Sequence, residues 1–198
     1  MWRKGMRLSL AIALPAALLG LARATPFATA NGRTIRGKYL VSAMGCSGCH
    51  TPKTKGAAGP KPDESRFLSG HPEGSVLGAP PPLADGPWAA LSSWDGTAWA
   101  GPWGVSYSAN LTPDENTGLG SWSEETFVQA LRTGRHMGVS RPILPPMPWG
   151  AFRNLNDEDL RSIYAYLRTV PAVHNRVPDI GQGGAAPHPP EPPSRSPK

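Results

Sequence analysis

Three stretches of the chain repeat apolar residues at helical spacing. The first runs from Gly32 to Met44, where Ile35, Tyr39 and Ala43 recur at i, i+4 and i+8 and Asn31 stands as the N-cap. Gly37 in its middle costs a helix about 1 kcal/mol against Ala, a cost that a close helix crossing explains. The second helix follows Ser123 as N-cap. Glu124 and Glu125 complement the dipole of its first turn, Trp122 and Phe127 take the positions of a hydrophobic staple, and Gly134 ends it. The third begins at Asn156, with Asp157, Glu158 and Asp159 in its first turn and Leu155 set to staple onto Leu160. Leu160, Ile163, Tyr164 and Leu167 make its apolar stripe, and Pro171 closes it. Tyr164 is expected to meet the first helix beside Gly37.

No helix or strand pattern is legible between Thr51 and Leu119. That stretch is rich in Gly and Pro and holds Trp88, Trp94, Trp99 and Trp103. Aromatic side chains at this density predict an ordered loop packed on a surface, not a disordered linker. From about Asp179 to Lys198 the chain is Pro-rich and polar, the composition of a disordered tail.

Composition sharpens this picture. Among 198 residues, 23 Gly and 24 Pro make up nearly a quarter, with hydrophobic residues at 39% and charged ones at 17%. Such a chain has few regular elements, and a cofactor bringing its own buried apolar mass would help it fold. The formal charge of +6 is misleading as a sign of nucleic-acid binding. Four of the 20 basic residues, Arg3, Lys4, Arg7 and Arg23, lie in the first 24 positions, and the remaining 16 face 14 acidic ones. No basic stripe remains for phosphate. The start itself reads as a secretory signal peptide: a charged opening, an apolar run from Leu8 to Leu21, and small residues at Ala22 and Ala24 before Thr25. The run is short against the roughly 20 residues that span a bilayer, so cleavage and export to the periplasm are expected, with no membrane span in the mature chain.

The two cysteines stand in Cys46-Ser47-Gly48-Cys49-His50. A disulfide with an incidental histidine, a thioredoxin-like redox pair and half a zinc site are the alternatives. Zinc lacks its second Cys/His pair, and the βαβ setting of a thioredoxin motif is missing. The reading that uses all three side chains is covalent haem attachment. Two thiols on one short turn reach the two vinyl groups of a haem, and the next residue then stands beneath the porphyrin, where its imidazole binds iron. A sixth ligand with a thioether raises the potential of an electron carrier. Met1 and Met6 lie in the signal and Met44 is too close to the attachment turn, leaving Met137 and Met147. Met147 sits in Leu144-Pro145-Pro146-Met147-Pro148-Trp149, where three prolines stiffen the backbone, and it is the favoured ligand. Met137, just beyond a helix end, is read as a core filler, and His136 and His71 are the reserve ligands.

These residues resemble the single-haem c-type cytochromes and the haem modules of bacterial alcohol and sugar-acid dehydrogenase cytochrome subunits, over about Gly32 to Pro178. The resemblance rests on Cys46-Ser47-Gly48-Cys49-His50-Thr51-Pro52-Lys53, Asn110-Leu111-Thr112-Pro113-Asp114 with Gly118-Leu119-Gly120-Ser121-Trp122, Pro146-Met147-Pro148-Trp149, and Asp157-Glu158-Asp159-Leu160 with Tyr164-Ala165-Tyr166-Leu167. It implies an all-α, cytochrome c-like fold around one covalent haem c, His50 and Met147 as axial ligands, and Asn110–Thr112 near the haem, reaching a propionate. The expected organisation is a signal peptide over 1–24, a cytochrome c domain over 25–178 with 51–119 as a Trp-rich insertion on the haem edge or on a partner, and a disordered tail over 179–198. The expected function is periplasmic electron transfer and not catalysis, between a dehydrogenase donor and a respiratory-chain acceptor. Membership of a larger dehydrogenase is the alternative.

Overall fold

The computed structural model describes residues 29–81 and 89–179. The predicted signal peptide, Trp88 and all but the first residue of the predicted tail lie outside the described residues. Helix α1 spans Ala30–Ala43, α2 Cys46–His50, α3 Glu124–Thr133, α4 Trp149–Phe152 and α5 Asp157–Leu167. Between α2 and α3 the chain forms strands, and so departs from an all-helical expectation. β1 (Lys53–Gly56) pairs antiparallel with β2 (Gly59–Pro62), and β3 (Leu91–Ser92), β4 (Ala98–Gly101) and β5 (Gly104–Tyr107) form a second small antiparallel sheet. These strands are two to four residues long, too short for alternation to show in sequence.

Helix α5 packs across α1, and Gly37 is the reason the two backbones approach so closely. A Cβ there would overlap the carbonyl oxygen of Ser162 and stand 2.8 Å from Cβ of Tyr166. The partners at the crossing are therefore Ser162 and Tyr166. Tyr164 points elsewhere: its hydroxyl donates to the carbonyl of Trp122 at 2.5 Å and its ring lies 5.6 Å from that of Phe127. The crossing also corrects the expected inner face of α1. Gly37, Leu40 and Val41 are buried, whereas Ile35 is 62% and Tyr39 61% exposed. The glycine dictates which side can approach, and apolar spacing alone could not see it. Outside the contact, Arg33 grips the Glu158 carboxylate with two bonds of 2.8 and 3.0 Å, and Arg36 bonds Asp159 at 2.8 Å.

The caps follow the sequence with one shift. Ser123 and Asn156 cap α3 and α5 by accepting from the N–H of Thr126 and Asp159. Helix α1 starts earlier than predicted, with Thr29 and not Asn31 accepting from the N–H of Gly32 at 3.0 Å. Gly134 ends α3 in the left-handed conformation. The core gathers Leu40 and Val41 of α1, Phe127, Val128 and Leu131 of α3, and Leu160, Ile163 and Leu167 of α5, with Leu68, Leu119 and Val170.

Candidate haem site

Helix α2 is a five-residue turn entered through Gly45, whose φ of +69° is left-handed. This abrupt break after α1 sets Cys46, Cys49 and His50 in succession on one wall of a cavity of about 410 Å³. Both thiols stand free. Burial pushes the Cys46 thiol up to about 11, whereas a redox-active pair needs a stabilised thiolate. Among the described residues no cluster of three or more His, Cys, Asp or Glu side chains is placed to hold a metal ion, so a structural zinc site has no ligand set there.

His50 is buried, and its Nδ1–H donates to the carbonyl of Ala109 at 2.8 Å. That bond fixes the tautomer and leaves Nε2 with its lone pair, the state an iron ligand requires. Burial holds its pKa below the usual imidazole range, so the ring stays neutral. The turn is clamped from outside. Ser108 Oγ donates to the carbonyl of Cys49 at 2.7 Å, and Gly70 N–H donates to that of His50 at 2.8 Å. Lys53 Nζ bonds the carbonyls of Gly48 at 2.9 Å and Asp95 at 3.1 Å.

The lining also includes Met147, Leu144, Ile143 and Phe152, with Leu131 and Ile163 from the helical core. Met147 is half-buried and packs against that core. Met137 does not line the cavity: it is 44% exposed, with a left-handed φ of +54°. Met44 does line it, from the C-cap of α1 two residues before Cys46. Of the reserve histidines, His136 reaches the cavity and His71 does not. His71 lies behind the cavity wall, fully buried, its ring 4.8 Å from that of Tyr107.

Asn110 and Leu111 line the cavity, but the Asn110 side chain is already spent. Its amide donates to the Val173 carbonyl at 2.8 Å and to Thr117 Oγ1 at 3.2 Å, and its oxygen accepts from the N–H and hydroxyl of Thr112. This residue builds the wall and is not free for a propionate. Sequence reasoning passed over Arg141 and Arg176, exposed cationic residues of the lining; of the tryptophans it singled out in the insertion, Trp99 of β4 stands in the cavity wall. Sequence reasoning also missed Asn175. Fully buried, Asn175 accepts from Arg66 and the N–H of Glu73, both at 2.7 Å, and donates to the carbonyls of Ser69 and His71. It fastens the segment after α5 and so carries Arg176 to Pro178 to the cavity. A lone asparagine in a Pro-rich stretch gave no signal of this.

Paired thiols and a neutral imidazole facing one apolar chamber define a covalent haem protein. The cytochrome c family model matches residues 35–171, and the chain belongs to the cytochrome c family. Covalent haem c and electron transfer follow from that membership. Over 183 residues the chain is 30% identical to the cytochrome c subunit of the quinone alcohol dehydrogenase of Gluconobacter oxydans, covering 90% of this chain and 30% of that protein. It is 31% identical over 145 residues to the fructose dehydrogenase cytochrome subunit of Gluconobacter japonicus, 73% of this chain and 23% of the relative. To the gluconate 2-dehydrogenase cytochrome c subunit of Pantoea cypripedii it is 30% identical over 132 residues, 67% of this chain and 22% of the relative. The chain thus spans less than a third of the length of each of these relatives. Among the described residues no helix is long and apolar enough to cross a membrane.

Proposed function

We propose that the chain is a periplasmic electron carrier holding one haem c through Cys46 and Cys49, with His50 and Met147 as the axial ligands. The observation that carries this reading is the shared cavity. The attachment turn and Met147 both line it, and the His50 Nδ1–H bond to Ala109 leaves Nε2 available. Bound there, haem supplies a one-electron iron couple. The protein's part is to bind and orient: Ala109 sets the imidazole, and Ser108 and Gly70 fix the turn. The apolar side chains of α3 and α5 exclude water, which with axial ligation tunes the potential. Arg141 and Arg176 bring positive charge to the exposed side of the cavity, suited to the carboxylates of the haem. With His50 and Met147 both held to the iron, no coordination site would be left for a substrate, and the chain would pass electrons and transform nothing. The donor is a dehydrogenase and the acceptor lies in the respiratory chain.

A second reading places the chain within a larger dehydrogenase as its electron-transfer component. It is favoured by the relatives named as cytochrome subunits. The two readings separate on purification, since a component of a complex carries a dehydrogenase with it and a free carrier does not. Ligation is tested by the visible and near-infrared spectrum of the purified holo-protein beside Met147→Ala, with CO added after reduction. The expected wild type shows the sulfur-to-ferric-iron band and ignores CO, and the variant loses the band and binds CO. A wild type without the band that takes up CO readily would overturn His/Met ligation and indicate a haem enzyme or gas sensor.

A further inference from the structure

We propose that the β4–β5 hairpin of the Trp-rich insertion holds the Met147 loop in place, with Ser106 as a positioning residue for the methionine and Trp103 as its support. The proposal rests on the ligation reading above and gives the insertion a task within it.

The loop from Leu144 to Met147 is poor in anchors. Pro145 and Pro146 have no N–H to give, and the Met147 N–H is turned inward to the carbonyl of Leu144 at 3.3 Å. Among the described residues, one hydrogen bond ties these four residues to the rest of the protein: Ser106 Oγ–H donates to the carbonyl of Pro145 at 2.6 Å. Ser106 is buried at 6% exposure on β5 and lines the haem cavity, paired across the hairpin with Trp99 of β4, which lines it too. The bonded carbonyl lies two residues before the sulfur-bearing side chain.

The hydroxyl has one proton, which goes to Pro145, so its lone pairs remain to be satisfied. Trp103 does this, its indole Nε1–H donating to Ser106 Oγ at 3.3 Å. The indole lies against Gly101, where a Cβ would overlap the ring. A relay therefore runs from Trp103 N–H through Ser106 O–H to the Pro145 carbonyl, each donor used once. A serine with an acceptor role already filled is a better donor to the Pro145 carbonyl than an isolated one.

If the relay holds the methionine, breaking it should ease displacement of the thioether without altering the haem attachment. The experiment uses full-length ferric holo-protein as wild type, Ser106→Ala, Ser106→Thr, Trp103→Phe and Met147→Ala. Each is titrated with imidazole, followed by loss of the sulfur-to-iron band where present and by the Soret shift, and each is unfolded separately in denaturant. A net hydrogen bond of ordinary strength corresponds to a change of about 3- to 10-fold. Ser106→Ala should therefore bind imidazole about 3- to 10-fold more tightly than wild type. Ser106→Thr, which keeps the hydroxyl, should return towards wild type, and Trp103→Phe should show a smaller increase. Imidazole affinity unchanged in Ser106→Ala and Trp103→Phe, while Met147→Ala binds far more tightly, would overturn the positioning role and leave Met147 ligation standing. Met147→Ala binding no more tightly than wild type would instead remove the ligation reading and this proposal with it. Should Ser106→Ala not accumulate with haem, Trp103→Phe decides by the same criterion.

Discussion

The helical half of the molecule and the loop half enclose the same cavity by different physics. Around α1, α3 and α5 the buried residues are largely apolar, and arginine–carboxylate pairs tie the helices together outside the core. In the segments 66–71, 93–112 and 171–176 the buried residues are instead largely polar: Ser69, His71, Thr97, Ser106, Ser108, Asn110, Thr112 and Asn175. There, side chains satisfy backbone groups that no helix or long strand provides for. The first half tolerates apolar substitution of similar volume. The second is a hydrogen-bonded network in which one lost partner leaves several buried groups unsatisfied.

Asn175 gives the largest test of that contrast. Replacing it with Ala strips partners from Arg66, the Glu73 N–H and the carbonyls of Ser69 and His71 in one step. With about 1–3 kcal/mol for each buried group left unpaired, and partial relaxation, the expected loss is about 3–5 kcal/mol. Denaturant unfolding of the holo-protein measures it. Because the segment after Asn175 also lines the cavity, the Soret band should shift as well. A loss below about 1 kcal/mol would mean that water replaces the amide and that the network is not cooperative.

The helical half should break by overpacking. At Gly37 the added methyl of Gly37→Ala runs into the Ser162 carbonyl oxygen, a backbone atom that cannot rotate away. Helix propensity alone predicts a gain of about 1 kcal/mol for this substitution. Steric displacement of α5 predicts a loss of about 1–3 kcal/mol or more, and the loss should win. The sign of the measured change is therefore diagnostic: a stabilised variant would mean that the α1–α5 crossing is looser than the structure shows.

The same contrast explains what could be read from the sequence. The CxxCH turn was legible because its chemistry is local, five consecutive residues with one shared purpose. The α3 and α5 spans and their caps at Ser123 and Asn156 were legible because period and punctuation agree. The inner face of α1 was misjudged at Ile35 and Tyr39 because a glycine, which has no hydropathy signal, chose the side of contact. The loop half stayed opaque for a different reason. Ser106 and Pro145, or Asn175 and Arg66, are 39 and 109 residues apart, and polar residues that bond backbone at such separations leave no periodic trace. The prolines around Met147 pointed to a stiff loop, but nothing nearby in sequence pointed to the hairpin that holds it.

The smallest expected effect is also the one that separates the halves by pH. His71 is fully buried in the loop half, with Nδ1 2.8 Å from the Thr97 hydroxyl and 4.0 Å from Asp95 Oδ2. Burial holds its pKa below the ordinary value of 6.5; the Asp95 carboxylate and a hydrogen bond to the Ser75 backbone only partly offset this, and the charge of Arg66 adds slightly to it. In the unfolded chain the imidazole takes up its proton near the ordinary value, and in the folded protein only at lower pH. The unfolded state therefore binds more protons in that interval, and stability falls as pH drops below about 6.5, by at most about 1.4 kcal/mol per pH unit. The fall ends once the folded imidazole is protonated too. Burial also lowers the pKa of His50 and His136, so the measurement is a difference: denaturant midpoints of wild type and His71→Gln between about pH 8 and pH 5. The wild type should lose more stability than the variant below pH ~6.5, and a constant difference would show that His71 accepts its proton in place. Gly37→Ala carries no such titration, since its cost is steric. The gap between it and wild type should stay flat over the same range, leaving the pH response to the hydrogen-bonded half.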